Sequence, residues 1–402
     1  MTTAAIDTAE LEAIARDSIA FLTTFERPSA SDGERRAADW IASRLRDEGF
    51  TARVEEERAH GTYWWPLGLL ATTAGLAGLS RRRWLRALVG AGAAAAVADD
   101  ISGGRLWFRR TVLPQRPTWN VVASAGDPQA ARTVVFVAHH DAAHWSLLFA
   151  PQLPEFFGER FPDALERADT TPPVMFPVFG GPLLVALSAL PGLRRLRGAG
   201  AAISLGTAAT MTEIGSRSTV DGANDNLSGV AALLGLARVL RERPPQGVRV
   251  LIVSTGSEES FMEGMQAFAA RHFGLLPTDS TSFVVLDTVG SPELMMLEGE
   301  GMLAMRDYPA DFKDFVARCA QAAGVPLRRG LRFRNATDGL IALKAGYPAA
   351  MIGSITRYKA PANYHWPTDT ADNVCYETVV HAALLCDAVV RALDDRAPAS
   401  GG

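Results

Sequence analysis

Four short runs of strand-forming residues each lead into a group able to bind a metal or move a proton. Thr133–Ala138 (TVVFVA) runs into His139, and Val248–Ser254 leads to the adjacent acids Glu258 and Glu259. Ser282–Leu286 stops at Asp287, and Ala349–Gly353 opens into the loop carrying His365. Apolar runs this short read as strands covered on both faces. Between them lie amphipathic stretches. In 34–48, Ala38, Ile41, Ala42 and Leu45 share one helical face and Gly49 stops the helix; in 221–243, Val230, Leu233, Leu234, Ala237 and Leu240 recur at helical spacing. Helices are also predicted from Asp7 or Thr8 to Leu22, over 263–272, near 311–323 and over 376–395, with further strands at Thr51–Glu57 and Asn120–Ser124. Strands alternating with helices predict an α/β fold: a doubly wound, mostly parallel central sheet with helices on both faces. In such sheets ligands bind outside the carboxyl ends of the strands, the edge at which these polar residues collect.

The formal net charge of −4 leaves no basic footprint for nucleic acid. Three cysteines (Cys319, Cys375, Cys386) without a C-x-x-C make neither a disulfide framework nor a thiolate zinc site. The N-terminal stretch is acidic and amphipathic, unlike a secretory signal.

Two apolar stretches interrupt the α/β pattern. Tyr63–Leu79 and Ala87–Ala98 carry no charge and are joined by Arg81, Arg82, Arg83 and Arg86; Val174–Leu193 and Gly198–Met211 repeat the plan around Arg194, Arg195 and Arg197. Each reads as a helical hairpin. A leg such as Tyr63–Leu79 reaches about 26 Å at 1.5 Å per residue, slightly less than a hydrocarbon core of about 30 Å. Two readings follow. The legs associate with a membrane, with Trp64 and Trp65 as interfacial anchors, or they pack on each other or on a partner subunit as a lid. Membrane association through 63–100 and 173–212 is the expectation, with a soluble cytoplasmic protein as the alternative and room for a homo-oligomer. On this division 1–62, 101–172 and 213–395 form one catalytic domain, and 396–402 is a tail.

The candidates for chemistry are His139, Asp141, Asp225, Glu258, Glu259, Asp287 and His365. Imidazole with carboxylate and no thiolate suits Zn²⁺ in a hydrolytic site, with Mn²⁺ or Co²⁺ as alternatives. One metal needs three protein ligands; five candidate ligands suggest two metals sharing a bridge, for which Asp225 at a helix entrance is placed. Taken singly, Asp225 reads as a helix cap, His365 as a loop histidine, and His140 and His144 as pocket wall or surface. Asp338 reads as a supporting residue, and Arg332 and Arg334 as part of a solvated basic strand.

The segments AHHD (138–141), GANDNLSG (222–229), GSEESFMEG (256–264), VLDTVG (285–290) and NYHWPTDT (363–370) resemble, in order, the motifs of the di-zinc aminopeptidase and glutamate carboxypeptidase family of metallopeptidases. The resemblance covers roughly 120–143 and 215–395. It implies two zinc ions per chain: His139 and Asp287 on one, Glu259 and His365 on the other, Asp225 bridging. It further implies Glu258 as general base and acid, Asp141 as the group orienting His139, and Tyr364 as a hydrogen-bond donor to the tetrahedral oxyanion. The implied activity is that of an exopeptidase, foremost an aminopeptidase, attacking peptide or aminoacyl substrates through a metal-bound hydroxide. A carboxypeptidase, a glutaminyl-cyclase-like aminoacyl transferase, or a non-catalytic scaffold or receptor of the same fold are the alternatives.

Overall fold

The computed structural model describes residues 6–395; the tail assigned to 396–402 lies outside them. Nine strands form one sheet: β1 (Thr51–Ala59), β2 (Arg116–Gly126), β3 (Thr133–His139), β4 (Arg249–Thr255), β5 (Thr281–Leu286), β6 (Glu293–Glu300), β7 (Arg306–Asp307), β8 (Arg328–Phe333) and β9 (Ala349–Ile355). The order is β1-β2-β4-β3-β5-β9-β6-β7, with β8 also on β6. The four central strands β4, β3, β5 and β9 are parallel, as their double-sided burial predicts. The flanks are antiparallel where β1 meets β2, β2 meets β4 and β6 meets β9. Strand β6 was not expected, because its sequence ELMMLEGE favours a helix; pairing with β9 and burial of Leu294–Leu297 override that preference.

Helices cover both faces. On one lie α1 (Thr8–Leu22), α2 (Asp32–Asp47), α10 (Ser228–Glu242), α12 (Ala310–Ala322) and α14 (Tyr376–Asp394), packed on the Val134, Phe136, Ile252 and Val284 side of the sheet. Helix α1 is capped by Asp7, whose carboxylate accepts from the amides of Ala9 and Glu10. On the other face, α11 (Glu263–His272) and α13 (Asp338–Lys344) meet Val135, Val137, Leu251 and Phe283. Three short helices, α5 (Trp107–Val112), α6 (Gln152–Arg160) and α7 (Pro162–Arg167), lie in the connections.

The two apolar insertions form α3 (Trp64–Leu79) with α4 (Arg83–Ile101), and α8 (Phe176–Leu187) with α9 (Leu196–Ser216). The hairpins pack on each other as a four-helix bundle, α3 against α9 and α4 against α8. Small residues allow the close approach: a Cβ on Gly78 would lie 2.9 Å from the Ala201 Cβ, and one on Gly90 2.5 Å from the Ala186 amide nitrogen. Leu67, Leu70, Ala74, Ala93, Val97, Met211 and Ile214 continue the core on the α11 face of the sheet, so the bundle is rooted in the domain. No described helix is long and apolar enough to cross a membrane, which corrects the reading of the legs as membrane-spanning helices.

The bundle's fit predicts opposite outcomes at two glycines of α4. Gly90→Ala, whose methyl meets the backbone of α8, should lower stability by about 1–3 kcal/mol. Gly92→Ala, whose methyl meets nothing within 4 Å, should raise it by about 0.5–1 kcal/mol. Denaturant midpoints at unchanged m-value read both effects.

Candidate active site

The carboxyl ends of the four parallel strands gather the predicted residues. His139 is the last residue of β3, Asp287 follows β5 directly, Glu258 and Glu259 lie in the turn after β4, and His365 lies in the loop after β9. That turn and these loops hold non-glycine residues in the left-handed region: Ser257 (φ 49°), Phe261 (φ 74°), Met262 (φ 56°), Thr288 (φ 54°) and His365 (φ 48°). Such conformations persist only where neighbours fix them. The Ser257 amide and hydroxyl donate to Glu34 Oε2 at 2.9 and 3.0 Å, the Met262 amide to Glu258 O at 2.7 Å, and the Thr288 amide to Asn226 Oδ1 at 3.1 Å.

Asp225 sits at the centre. Its Oδ1 lies 3.2 Å from His139 Nε2 and its Oδ2 3.0 Å from His365 Nε2. The same His365 nitrogen is 3.3 Å from Glu259 Oε1, and His139 Nε2 is 3.9 Å from Glu258 Oε2. The two glutamates therefore diverge, each toward a different imidazole, although the backbone there is a turn and not a strand. Asp225 does not cap α10. Asn226 Oδ1 takes the Gly229 amide at 3.1 Å instead, and Asp225 lies ahead of the helix with extended backbone (φ −111°, ψ 91°). Asp287 lines one small cavity with Asp225, Glu258, Glu259, Tyr364 and His365, whose other walls include Phe333, Asn335, Ala336, Met351 and Pro361. No residue of either insertion lines it. Tyr364 stacks on His365 at 3.9 Å, and Phe149 packs edge-on against both rings.

Burial sets the electrostatics. It pushes the Glu258 and Asp287 carboxyls well above their ordinary range, with neighbouring acids adding to the shift, and raises Glu259 as well. Burial alone would lower both imidazoles. Asp141 and Asp225 nevertheless hold His139 well above its usual value, and Glu259 with Asp225 raises His365 to about 10. Burial would raise Asp225, but contact with His139 and His365 holds it below the usual carboxylate range.

Buried oxygens left without a hydrogen-bond partner include Asp225 Oδ2 and Glu259 Oε1, which face His365 Nε2 at 3.0 and 3.3 Å. Facing oxygens and ring nitrogens with unfilled bonding capacity are what a cation would occupy. His139, Asp225 and Glu259 each offer a ligand atom within 4.8 Å of the others. This all-nitrogen-and-oxygen donor set fits a borderline divalent ion such as zinc.

Asp141 plays a larger part than expected. Its approach to His139 Nδ1 is loose, at 3.4 Å, whereas its carboxylate accepts from the Ser29 hydroxyl at 2.6 Å and from the amides of Glu258 and Glu259 at 3.1 Å each. His140 and His144 lie outside the cluster, bonded to Ser254 Oγ and Arg217 O. Asp338 is buried, accepts from the Thr255 hydroxyl, and is pushed by burial to about 6. Arg332, in β8, pairs with Asp307 at 2.9 Å, and Arg334 lies over Phe176.

Two supporting carboxylates escaped the sequence reading. Glu34 accepts from Ala30, Trp119 and Ser257 amides and from the Thr118 hydroxyl, gathering α2, β2 and the glutamate turn. Asp369 accepts from the amides of Asn224 at 2.7 Å and Asp225 at 3.1 Å. The S-x-x-E spacing of Ser31 and Glu34 at a helix start could have flagged the first, and the position of Asp369 four residues after His365 the second. Asp369→Ala should destabilise the fold by about 1–3 kcal/mol for each orphaned amide, with Asp369→Asn intermediate, as read by thermal unfolding.

Comparison with known proteins bears on the family and the fold. Residues 207–390 match the model described as Peptidase family M28, a span that holds Asp225, Glu258, Glu259, Asp287, Tyr364 and His365. No curated protein matches the sequence. Among solved structures, a leucine aminopeptidase precursor from Bacteroides thetaiotaomicron VPI-5482 is 15% identical with a TM-score of 0.55, covering 96% of this chain and 97% of that one. A glutaminyl cyclase from Tannerella forsythia is 16% identical (TM-score 0.56; 96% and 98% covered), and an aminopeptidase from Aneurinibacillus sp. strain AM-1 15% identical (TM-score 0.54; 94% and 93%). At such identities these likenesses concern the fold. The match of residues 207–390 to peptidase family M28 supports a co-catalytic zinc metallopeptidase family for this chain.

Proposed function

We propose that the protein is a zinc-dependent aminopeptidase that removes N-terminal residues from peptides. The observation that carries the choice of end is the composition of the cavity wall. Its lining includes four carboxylates and no lysine or arginine. Those carboxylates are taken up by metal and proton transfer in this reading, and a C-terminal carboxylate finds no fixed cationic side chain in the lining to receive it. Phe333, Met351 and Pro361 give the same cavity an apolar side, suited to an apolar first residue and ill suited to an acidic one.

Asp225, each of whose oxygens faces a different imidazole, would be shared between two ions in this reading. His139 with Asp287 would hold one ion, and His365 with Glu259 the other. Bound there, divalent zinc would acidify a water and polarise the scissile carbonyl. The chain's own groups then divide the remaining work. Glu258, buried and shifted upward, takes the proton of the attacking water and passes it to the leaving amine. The Tyr364 hydroxyl donates to the oxyanion of the tetrahedral substrate carbon. Asp141 fixes Glu258 and Glu259 by their amides, so that one faces substrate while the other stays with His365. Aminoacyl cyclisation is the second reading, favoured by glutaminyl cyclases among the fold neighbours at comparable TM-scores.

Glu258→Gln should lower kcat by about 10²–10⁴-fold while leaving the metal content unchanged. Unblocked leucyl peptides should be cleaved and N-acetylated ones refused; a bound-ion ratio of one with release of pyroglutamyl product would favour cyclisation instead. Metal uptake should weaken as pH falls. His365, raised to about 10, must give up a proton to become a ligand, and His139 is shifted in the same direction by Asp141 and Asp225. Titration calorimetry in buffers of different ionisation enthalpy counts those protons.

A further inference from the structure

A water-facing helix bundle presents charged residues on its outer side. This one does not. Neither Trp64–Ala98 nor Val174–Thr212 contains an aspartate or glutamate, and the basic residues of both stretches sit in or next to the two connectors. Along α3, Trp65, Leu69, Leu76 and Leu79 form one exposed stripe, 62%, 48%, 58% and 61% accessible; in the neighbouring α4, Trp84 and Leu88 are 61% and 67% accessible. The opposite side of α3 is committed to α9, where Gly68, Gly75 and Gly78 meet Met211, Leu205 and Ala201. The outward stripe is thus a surface and not a misplaced core.

Both connectors lie at the end of the bundle remote from the catalytic domain. Tyr63, just before α3, stacks on Phe261 of the catalytic turn, whereas the far end of α3 leads into Ser80. There Arg83 donates to Ala189 O at 2.7 Å, and the buried Arg86 donates to Ser188 O, Ser188 Oγ and Ser80 O at 3.0–3.1 Å. These bonds tie the two connectors together and collect Arg81, Arg82, Arg194 and Arg195, all exposed, into one basic end.

We propose that the α3–α4 hairpin docks the protein side-on upon an anionic phospholipid bilayer. The Trp65–Leu88 stripe enters the boundary between headgroups and acyl chains, and the connector arginines pair with lipid phosphates. Tryptophan at both ends of an apolar stripe, flanked by arginine, is the chemistry of a helix lying in the interface plane, and such docking needs no helix long enough to cross. Charge decides against a second copy of the chain as occupant. Two hairpins face to face would bring basic connectors together, and Trp64–Ala98 and Val174–Thr212 hold no carboxylate to meet them.

The test uses the full chain and does not depend on peptidase activity. It is floated with phosphatidylcholine vesicles and with vesicles containing phosphatidylglycerol, at low and high salt. Binding should favour the anionic vesicles by about tenfold or more and weaken with salt. Arg81→Glu with Arg82→Glu, and separately Leu69→Ser with Leu88→Ser, should each reduce it by a similar factor. Circular dichroism and the hydrolysis of a soluble peptide should not change, since all four residues are exposed and remote from the cavity. Failure to float with either vesicle, or flotation indifferent to both pairs of substitutions, would overturn the proposal. So would a concentration-dependent dimer that Leu69→Ser with Leu88→Ser dissolves without any lipid effect, which would give the stripe to a second copy.

Discussion

The structure is organised by the cost of burying negative charge. Asp141, Asp225, Glu258, Glu259, Asp287 and Asp338 are all buried at the carboxyl edge of one sheet, with His139 and His365 between them. A carboxylate removed from water is costly unless it is paired or hydrogen-bonded. Here the shortage of partners is uneven. Asp141 is satisfied by two amides and a hydroxyl, whereas Asp225 and Glu259 keep oxygens with no partner. Two imidazoles cannot neutralise this set, and the upward shifts of Glu258 and Asp287 express the deficit. Such a cluster persists in a folded chain when cations complete it, so the surrounding scaffold serves to hold repelling groups in place.

That scaffold explains why so many supporting bonds end on backbone amides. Glu34, Asp141 and Asp369 each accept from amides of a turn that carries a site residue or its immediate neighbour. Holding a turn by its amides leaves the side chain free to face the cavity, which a bond to that side chain would not. The left-handed residues Ser257, Thr288 and His365 follow from the same demand, since a tight reversal after a strand aims a side chain back over the strand end.

Much of this was legible in the sequence because it rests on local patterns. The uncharged strand runs fixed β3, β5 and β9 to within a few residues, and their parallel pairing placed the following polar residues at one edge. The order of motifs separated Glu258 from Glu259. What was not legible depends on contacts distant in sequence. Asp225 was read as a bridging ligand only from the set of motifs, since caps and ligands share residue types, and the sequence did not show that Asn226 takes the capping bond. Asp141 looked like a partner of His139, yet its shorter bonds reach across more than a hundred residues to Glu258 and back to Ser29. Strand β6 was hidden by helix-favouring residues that its neighbours β9, β8 and β7 hold extended. The apolar legs were legible as helices, but the sequence of one hairpin cannot reveal that the other will cover it.

The bundle is also joined to the chemistry by a buried ionic chain. Arg109, just after the first hairpin, forks onto Asp100 at the end of α4 with contacts of 2.5 and 3.2 Å, and its Nη1 donates to Ser260 O at 2.6 Å. The same nitrogen lies 3.5 Å from Glu263, which holds His60 Nδ1 at 2.6 Å and accepts from the Ser260 hydroxyl. Ser260 follows the Glu258–Glu259 pair directly. One rigid, planar guanidinium therefore fixes the end of the first insertion and the turn of Glu258 and Glu259 together. A loosely tethered insertion would leave that turn to its own strained backbone. With Arg109 in place, the hairpin becomes part of the frame that sets where Glu258 and Glu259 stand.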